Sequence, residues 1–204
     1  FFEQINTDAK AYLLGWIASD GHIGRRGFKI AIHQKDIETL EIFQNLICKD
    51  IPIKQFTTPT SKLCSFEVNS QKISKDLCTL LKISPGKKDA TVCLPDLRDD
   101  LKWSFLRGYF DGDGSVNDIN ITKYKHAKGN IRSNSSNMLT QIKDFIKCGS
   151  ISCNMLCLSN KQMMYFLNNI YNNSEYKLSR KYARYLKWME KERGAGGFGS
   201  TNGK

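Results

Sequence analysis

Between residues 8 and 21, apolar positions recur with the period of an α-helix. One stripe, at spacings of three and four residues, contains Ala9, Tyr12, Leu13, Trp16 and Ile17. A second stripe, at a spacing of four residues, is small and contains Ala11, Gly15 and Ser19. The pattern predicts a helix that buries one face in its own core and brings the other face close to a second backbone.

The chain contains a second copy of this pattern. The segments AYLLGWIASDG and SFLRGYFDGDG superimpose at a constant offset of 93 residues, which aligns Asp20 with Asp113. The small stripe repeats as Ser104, Gly108 and Gly112. Glycine inside a helix costs about 1 kcal/mol relative to alanine, so matched glycines indicate that the two helices pack through these stripes.

The segments that follow each copy also repeat. In the first half, they are GFKIAIHQ (strand), KDIETLEIFQNLI (helix), IPIKQF and LCSFEVN (extended), and QKISKDLCTLLKI (helix). In the second half, they are VNDINITK and GNIRSN, then SNMLTQIKDFIK, SISCN, MLCLS and KQMMYFLNNIY. We therefore predict an α+β fold made of two pseudo-symmetric αββαββα halves with antiparallel sheets.

The two halves predict the domain boundaries. We place the first half at residues 1–86, a linker at 87–98, the second half at 99–193 and a flexible tail at 194–204. The turn Pro85-Gly86 ends the first half, and we expect Pro95 to open the next helix.

Period-two alternation predicts sheets with one buried and one polar face. The inward set is Phe28, Ile30, Ile32, Cys64, Phe66, Val68, Ile119 and Ile121. The outward set is Lys29, Ala31, His33, Ser65, Glu67, Asn69, Asn120 and Thr122. The outward side chains are mostly amide, hydroxyl and charged groups, which can hydrogen-bond to base edges.

Charge narrows the class of partner. The 31 Lys and Arg residues exceed the 20 Asp and Glu residues, for a net charge of +11, while 40% of residues are hydrophobic. This combination indicates a folded protein with a basic surface that binds nucleic acid. No long apolar run or signal peptide is visible, so we expect an intracellular protein without a membrane partner. The seven cysteines do not have zinc-site spacing, and we expect them to pack in the core.

Asp20 and Asp113 are predicted to meet at the C-terminal ends of the two packed helices. Each carboxylate would oppose the negative end of its helix dipole, and the two would repel each other. A divalent cation between them, with helix-end carbonyl oxygens as further ligands, would relieve both penalties. The alternative is that both Asp-Gly pairs are ordinary helix-ending turns. Their occurrence at the same place in two repeats favours the metal site.

The segments LLGWIASDG (13–21) and LRGYFDGDG (106–114) resemble the two motifs of a single-chain LAGLIDADG homing endonuclease. The repeat is similar to that family from Thr7 to Arg193. The resemblance implies that Asp20 and Asp113 bind the catalytic metal, with the backbone carbonyls of Ser19 and Gly112 as further ligands. It also implies metal-assisted hydrolysis of a phosphodiester bond with Mg²⁺, for which Mn²⁺ would substitute.

Further site residues follow from the same resemblance. Gln34 resembles the polar residue that orders water near the scissile phosphate, and at an offset of 99 residues Ser133 takes its place in the second half. Basic residues that assist the reaction are not placed by the motif, and Lys35 and Lys161 are candidates, although a lysine that only contacts phosphate is the alternative for each.

The sheets are expected to form a saddle over double-stranded DNA. Predicted DNA contacts are Arg25, Arg26, Lys29, His33, Lys35, Lys54, Lys62, Ser65, Glu67, Asn69, Asn120, Thr122, Lys123, Lys125, Arg132, Asn134 and Lys161. A last amphipathic helix is predicted at 176–193, with Lys177, Arg180, Lys181, Arg184 and Lys187 on or near its polar face. That face is either solvated or clamps the DNA backbone.

Three functions are compatible with this fold. The first is a monomeric endonuclease that cuts a long asymmetric DNA site. The second is a maturase that binds intron RNA, and the third is a DNA-binding regulator that does not cleave. Asp20 and Asp113 favour cleavage, because a protein that only binds DNA gains nothing from two carboxylates that repel each other.

Overall fold

The two motif segments form the central helices of the protein. In the computed structural model, the described residues are 1–86, 91–118 and 126–196, with the backbone alone for 195 and 196. The first half contains α1 (Asp8–Asp20), β1 (Gly21–Gly24), β2 (Gly27–His33), a one-turn 3₁₀ helix (Gln34–Asp36), α2 (Ile37–Ile47), β3 (Lys54–Thr57), β4 (Lys62–Asn69) and α3 (Gln71–Leu81). The second half contains α4 (Asp99–Asp113), β5 (Gly114–Val116), β6 (Lys128–Arg132), α5 (Ser136–Ile146), β7 (Ser150–Ser152), β8 (Met155–Ser159) and α6 (Lys161–Tyr171). A final helix, α7 (Ser179–Gly196), follows.

The element order αββαββα is confirmed in both halves. The sheets have the strand orders β1-β2-β4-β3 and β5-β6-β8-β7, and every pairing is antiparallel. Ile30 lies opposite Gly21 and Phe66, as Ile131 lies opposite Gly114 and Leu156. Most of the strand predicted at VNDINITK falls on residues 119–125, which lie outside the described residues.

Local sequence determines where several helices begin. The side chains of Thr7, Ser70 and Ser135 cap α1, α3 and α5 by accepting a backbone N–H from the first turn. Helix α4 begins at Asp99 rather than at Pro95. Its first turn carries Asp99 and Asp100, whose negative charge complements the positive end of the helix dipole.

The hydrophobic core surrounds the two motif helices. Every residue of α1 from Ala11 to Ser19 is buried, including Leu14 and Ala18, which lie outside both predicted stripes. The helix is buried on more sides than a two-stripe pattern predicts, because it packs against α4 as well as against β1 and β2. The inward residues Phe28, Ile30 and Phe66 are at most 2% exposed, as their alternation predicted.

The cysteines are all free thiols. Cys64 and Cys93 are buried, Cys153 is exposed, and the others are partly buried. Among the described residues, no helix has the length and apolar character needed to cross a membrane.

Candidate metal and nucleic-acid site

The two motif helices meet through their glycines. A Cβ atom added to Gly15 would overlap the carbonyl oxygen of Phe105 and lie 2.7 Å from the amide nitrogen of Tyr109. A Cβ on Gly108 would overlap the carbonyl oxygen of Tyr12 in the same way. The backbones therefore touch where the small stripes predicted contact, and the interface has no room for a methyl group at either position.

This packing brings the C-terminal ends of the two motifs together. A Cβ on Gly112 would overlap Ser19 Oγ and lie 2.5 Å from Asp20 Oδ2, so the Asp20 carboxylate lies directly against α4. Asp20 is exposed and Asp113 is partly buried. Both carboxylates act electrostatically on Tyr109 and Lys181, where they oppose loss of the proton. The two acids thus share one neighbourhood at the junction of the helices.

The donor atoms at this junction suit a hard divalent cation. Carboxylate and carbonyl oxygens are the ligands that Mg²⁺ prefers. Because Gly112 has no side chain, Ser19 and the Asp20 carboxylate can lie directly against the end of α4. Within the described residues, no group of three His, Cys, Asp or Glu side chains forms a metal cage. A cation would therefore need carbonyl oxygens and water in addition to the two carboxylates.

Lys181 of α7 is buried beneath the end of α4. Its side chain is 3% exposed, and Nζ donates to the carbonyl oxygens of Phe110 (2.6 Å), Asp111 (2.8 Å), Gly112 (3.3 Å) and Gly114 (2.5 Å). Burial lowers the pKa of Lys181 to about 8, although the nearby acids oppose the shift. The ammonium group supplies positive charge at the negative end of the α4 dipole.

Asp111 anchors the chain that leads into α7. It is fully buried, and its carboxylate accepts hydrogen bonds from Tyr12 Oη (3.0 Å), Tyr171 Oη (2.5 Å) and the Leu178 amide (2.8 Å). Burial raises the pKa of Asp111, and these hydrogen bonds oppose that rise. At the motif offset of 93 residues, the first half has Ala18 at this position. Of the two acids in DGD (residues 111–113), Asp113 is therefore the one at the helix junction.

Sequence reasoning assigned no role to Asp111 and placed Lys181 on a polar helix face. That assignment was wrong for Lys181, which is buried. Arg180 is exposed as expected but pairs with Asp36, and the partly buried Arg184 donates to the Val116 carbonyl. The helix therefore docks Lys181 on the second motif, while Arg180 and Lys187 remain exposed. One signal in the sequence could have identified the role of Asp111. The first repeat has the small apolar Ala18 at the equivalent position, and an acid at a buried position needs a hydrogen-bonding partner.

Gln34 begins the 3₁₀ helix at the end of β2. Its side chain is partly buried, and Nε2 donates to Gln55 Oε1 on β3. His33 is exposed, and its Nδ1 accepts the Lys35 amide at 3.1 Å. Lys35 is also exposed. The Gln34 side chain therefore lies at the edge of the first sheet beside Gln55, whereas Asp36 of the same turn is buried.

Ser133 does not take the place of Gln34. The strand pairing matches Ile30 with Ile131, an offset of 101, whereas α2 and α5 begin at Ile37 and Ser136, an offset of 99. The segment between strand and helix, β2 to α2 in the first half and β6 to α5 in the second, is thus two residues shorter in the second half. Ser133 is 6% exposed, and its Oγ accepts the Ser135 amide at 3.1 Å. This burial removes it as a water-ordering group, while Arg132 and Asn134 beside it are exposed.

The outer face of the first sheet carries most of the predicted DNA contacts. Residues exposed on its strands and in its β1–β2 hairpin are Arg25, Arg26, Lys29, Lys54, Lys62, Glu67 and Asn69. Lys29 lies opposite both His22 and Glu67, which places three ionisable side chains in one row across the strands. Ser65 is 3% exposed and lines a depression of about 430 Å³, so little of its side chain is available for a direct contact.

Among the described residues, the central row on the outer face of the second sheet is neutral. The row equivalent to His22, Lys29 and Glu67 contains Ser115, Asn130 and Cys157, followed by Ser150. Arg132 at the strand end contacts Met155 Sδ at 3.7 Å, and the exposed Lys161 opens α6. The predicted contacts Asn120, Thr122, Lys123 and Lys125 lie outside the described residues.

Comparison with known proteins gives structural matches only. No family model matches the sequence, and no curated protein sequence matches it. A structure of the LAGLIDADG homing endonuclease I-SmaMI bound to cleaved DNA is 14% identical, covers 92% of this chain and 88% of its own, and has a TM-score of 0.58. The LAGLIDADG homing endonuclease I-LtrWI bound to target DNA is 12% identical, covers 91% of each chain, and has a TM-score of 0.58. The LAGLIDADG homing endonuclease I-GzeII with its DNA target is 12% identical, covers 93% and 92% of the two chains, and has a TM-score of 0.61. The chain therefore has the LAGLIDADG homing endonuclease fold, as the resemblance of its two motifs predicted.

Proposed function

We propose that this protein is a site-specific double-strand DNA endonuclease that works as a monomer. The observation that carries the proposal is that Asp20 and Asp113 share one neighbourhood at the junction of the motif helices, where α1 and α4 lead into two sheets with polar outer faces. The structures of I-SmaMI, I-LtrWI and I-GzeII with DNA support DNA as the partner. Both motif helices come from one chain, so the site needs no second copy.

The carboxylates of Asp20 and Asp113 would hold Mg²⁺, with the backbone carbonyls of Ser19 and Gly112 as further oxygen donors. When bound, the cation supplies Lewis-acid stabilisation of charge on the attacking and leaving oxygens of the phosphodiester. One structure has I-SmaMI bound to its uncleaved DNA target in the presence of calcium ions, and we use Ca²⁺ as the cation for binding measurements. Mn²⁺ should substitute for Mg²⁺ because both accept octahedral oxygen ligands.

Other side chains would position water and DNA. Gln34 carries an amide that can hydrogen-bond to a water molecule, and Lys35 beside it supplies positive charge at the edge of the sheet. The exposed Arg25, Arg26, Lys54 and Lys62 would contact phosphates and supply affinity that depends on salt. The rows of His22, Lys29 and Glu67 and of Ser115, Asn130 and Cys157 would face a groove of the DNA, where Asn130 can hydrogen-bond to a base edge and Lys29 can reach a phosphate. Their different chemistry predicts two unequal half-sites.

A randomised duplex library tests the proposal. Cleavage products would be sequenced after incubation with Mg²⁺, and the selected site would then be cut with Asp20→Asn and Asp113→Asn variants. We expect each variant to lose at least about 100-fold in cleavage rate and to keep its DNA affinity in Ca²⁺. The matched control is Asp99→Asn, which removes an exposed carboxylate at the opposite end of α4.

Three results would count against the proposal. Cleavage by both variants at the wild-type rate would exclude the carboxylate mechanism. Specific DNA binding without cleavage by the wild-type protein would favour a regulator. Binding of structured intron RNA in preference to any duplex would favour a maturase.

A further inference from the structure

Four consecutive residues, 178–181, together contact both halves of the molecule. The Leu178 amide binds Asp111, and Lys181 binds the carbonyls at the end of α4. Between them, Ser179 and Arg180 reach the first half. The Ser179 amide and hydroxyl donate to Glu38 at 2.9 and 2.6 Å. One short segment thus touches both the second motif and the region around the Gln34 turn.

The contact between Arg180 and Asp36 is bidentate. Arg180 Nε donates to Asp36 Oδ1 at 2.7 Å, and a terminal guanidinium nitrogen donates to Oδ2 at 2.9 Å. Asp36 is 6% exposed, so the pair is shielded from water on its acidic side. Paired N–H donors fix the orientation of a carboxylate as well as its position, which a single contact does not.

Asp36 is the last residue of the 3₁₀ helix that Gln34 begins. It also stands at the N-cap position of α2, but its side chain makes no capping hydrogen bond there. The carboxylate is committed to Arg180 instead of to its own helix. Because a turn of three residues has few internal hydrogen bonds, an outside anchor at its last residue restricts the orientation of the whole turn.

The second half holds the equivalent connection differently. Ser135 caps α5 through the Met138 amide and donates to the Val92 carbonyl at 2.7 Å, and Ser133 accepts the Ser135 amide. These bonds are made mostly within the connection itself. In the first half, the longer turn that carries Gln34 is braced by a helix from the opposite half.

We propose that Arg180 is a positioning residue that sets the orientation of Gln34 through Asp36, so that α7 aligns the first-half turn with the second-half motif. The inference rests on the proposed function of Gln34 at the cleavage site. The role assigned to Arg180 is indirect, because its guanidinium acts on Gln34 through the Asp36 carboxylate. It transmits the position of the second motif to the turn of the first half, and Ser179 supports it through Glu38.

A double-mutant cycle tests this coupling. Single-turnover cleavage at saturating Mg²⁺ and DNA would be measured for Arg180→Gln, Gln34→Ala and the combined variant, with DNA affinity measured separately in Ca²⁺. We expect Arg180→Gln to slow cleavage about 10-fold, with DNA affinity within about two-fold, because misplaced catalytic groups lower the rate more than binding. In the Gln34→Ala background, the same substitution should change the rate by less than about two-fold.

The control is matched in geometry. Arg98 makes a bidentate pair with Asp100, but this pair is exposed and lies at the N-terminal end of α4. Arg98→Gln should leave cleavage unchanged. Arg180→Lys keeps the charge but not the paired geometry, so its rate should fall between those of wild type and Arg180→Gln. If Arg180→Gln does not fold, the lysine variant carries the test.

A readout without cleavage separates this inference from the proposed function. Hydrogen exchange of the amides at 34–38 should quicken in Arg180→Gln and not in Arg98→Gln. Unchanged exchange at these amides would overturn the inference whether or not the protein cuts DNA. Full additivity of the Arg180 and Gln34 substitutions would also overturn it. A wild-type protein that cuts no duplex would defeat the proposed function. The hydrogen-exchange result would still show whether Arg180 holds the turn at Gln34.

Discussion

Gly15 in α1 and Gly108 in α4 occupy equivalent places in the two halves, and each lies against the backbone of the other helix. Lys29 in β2 and Asn130 in β6 also occupy equivalent places, yet one is charged and the other is a neutral amide. The difference teaches where the repeat is constrained. Close backbone contact excludes every side chain, whereas an open sheet face accepts many.

The ends of the motif helices show the same contrast within a short distance. Ala18 is a small buried residue, but the equivalent Asp111 holds Tyr12, Tyr171 and the amide of Leu178. Only the second half is followed by α7, which needs this anchor. The halves therefore keep the same junction acids and differ in the structures that support them.

The largest effect should come from Gly108→Ala. The added methyl group would overlap the Tyr12 carbonyl, so the helices must separate, and we expect a loss of about 3 kcal/mol or more in the free energy of unfolding. Urea denaturation measures it. Gly15→Ala should cost a similar amount if the two positions are truly equivalent.

Gly194→Ala is the control for these two variants. A Cβ there would meet nothing within 4 Å in α7, so alanine should stabilise the protein by up to about 1 kcal/mol. A Gly108→Ala protein as stable as wild type would show that the helices do not need their close approach.

The second-largest effect should come from Lys181→Met. The substitution removes the ammonium that bonds four carbonyls at the end of α4, and we expect a loss of about 2–3 kcal/mol in stability. Thermal and urea unfolding in the absence of metal measure this loss. Lys187→Met, at an exposed position on the same helix, should change stability by less than about 0.5 kcal/mol. Equal effects of the two variants would contradict the buried anchor.

A smaller effect is expected for Asn130→Ala on the sheet face. Loss of the amide should relax discrimination at one base pair by about 1–3 kcal/mol without changing the salt dependence of binding. Library selection by binding in Ca²⁺, with wild-type and variant proteins in parallel, measures this. An unchanged sequence preference would remove Asn130 from base recognition.

The smallest effect is expected for Lys29→Met. If Lys29 contacts phosphate, binding should weaken uniformly across sequences, and the salt-dependence slope should fall by about one. Titrations at several salt concentrations measure the slope. A change at a single base pair, with the slope intact, would instead make Lys29 a base contact and bring it closer in role to Asn130.

Much of the fold was predictable, because its signals are local. The period of 3.6 residues located the motif helices, and the alternation of Phe28, Ile30 and Ile32 located the buried face of β2. Matched glycines predicted the packing of α1 on α4. The start of α4 was misplaced because Pro95 permits a helix without requiring one.

The candidate site was only partly predictable. The position of Asp20 beside α4 follows from the repeat and its glycines. The burial of Ser65 and Ser133 could not be predicted from the sequence, because short polar residues occur on both the buried and the exposed side near a sheet edge. The role of Lys181 was missed because an amphipathic pattern shows which face is polar, not which other element covers it.

By itself, the sequence determined the two repeats, the helix and strand order within each, and the paired acids at the motif ends. These features rest on interactions between residues close in the chain and on the equal spacing of two copies. Only the tertiary structure decided that Asp111 and Lys181 bind α7 to the second motif and that Arg180 reaches Asp36. Such contacts join residues 67 to 144 positions apart, and no local pattern specifies which buried charge meets which partner.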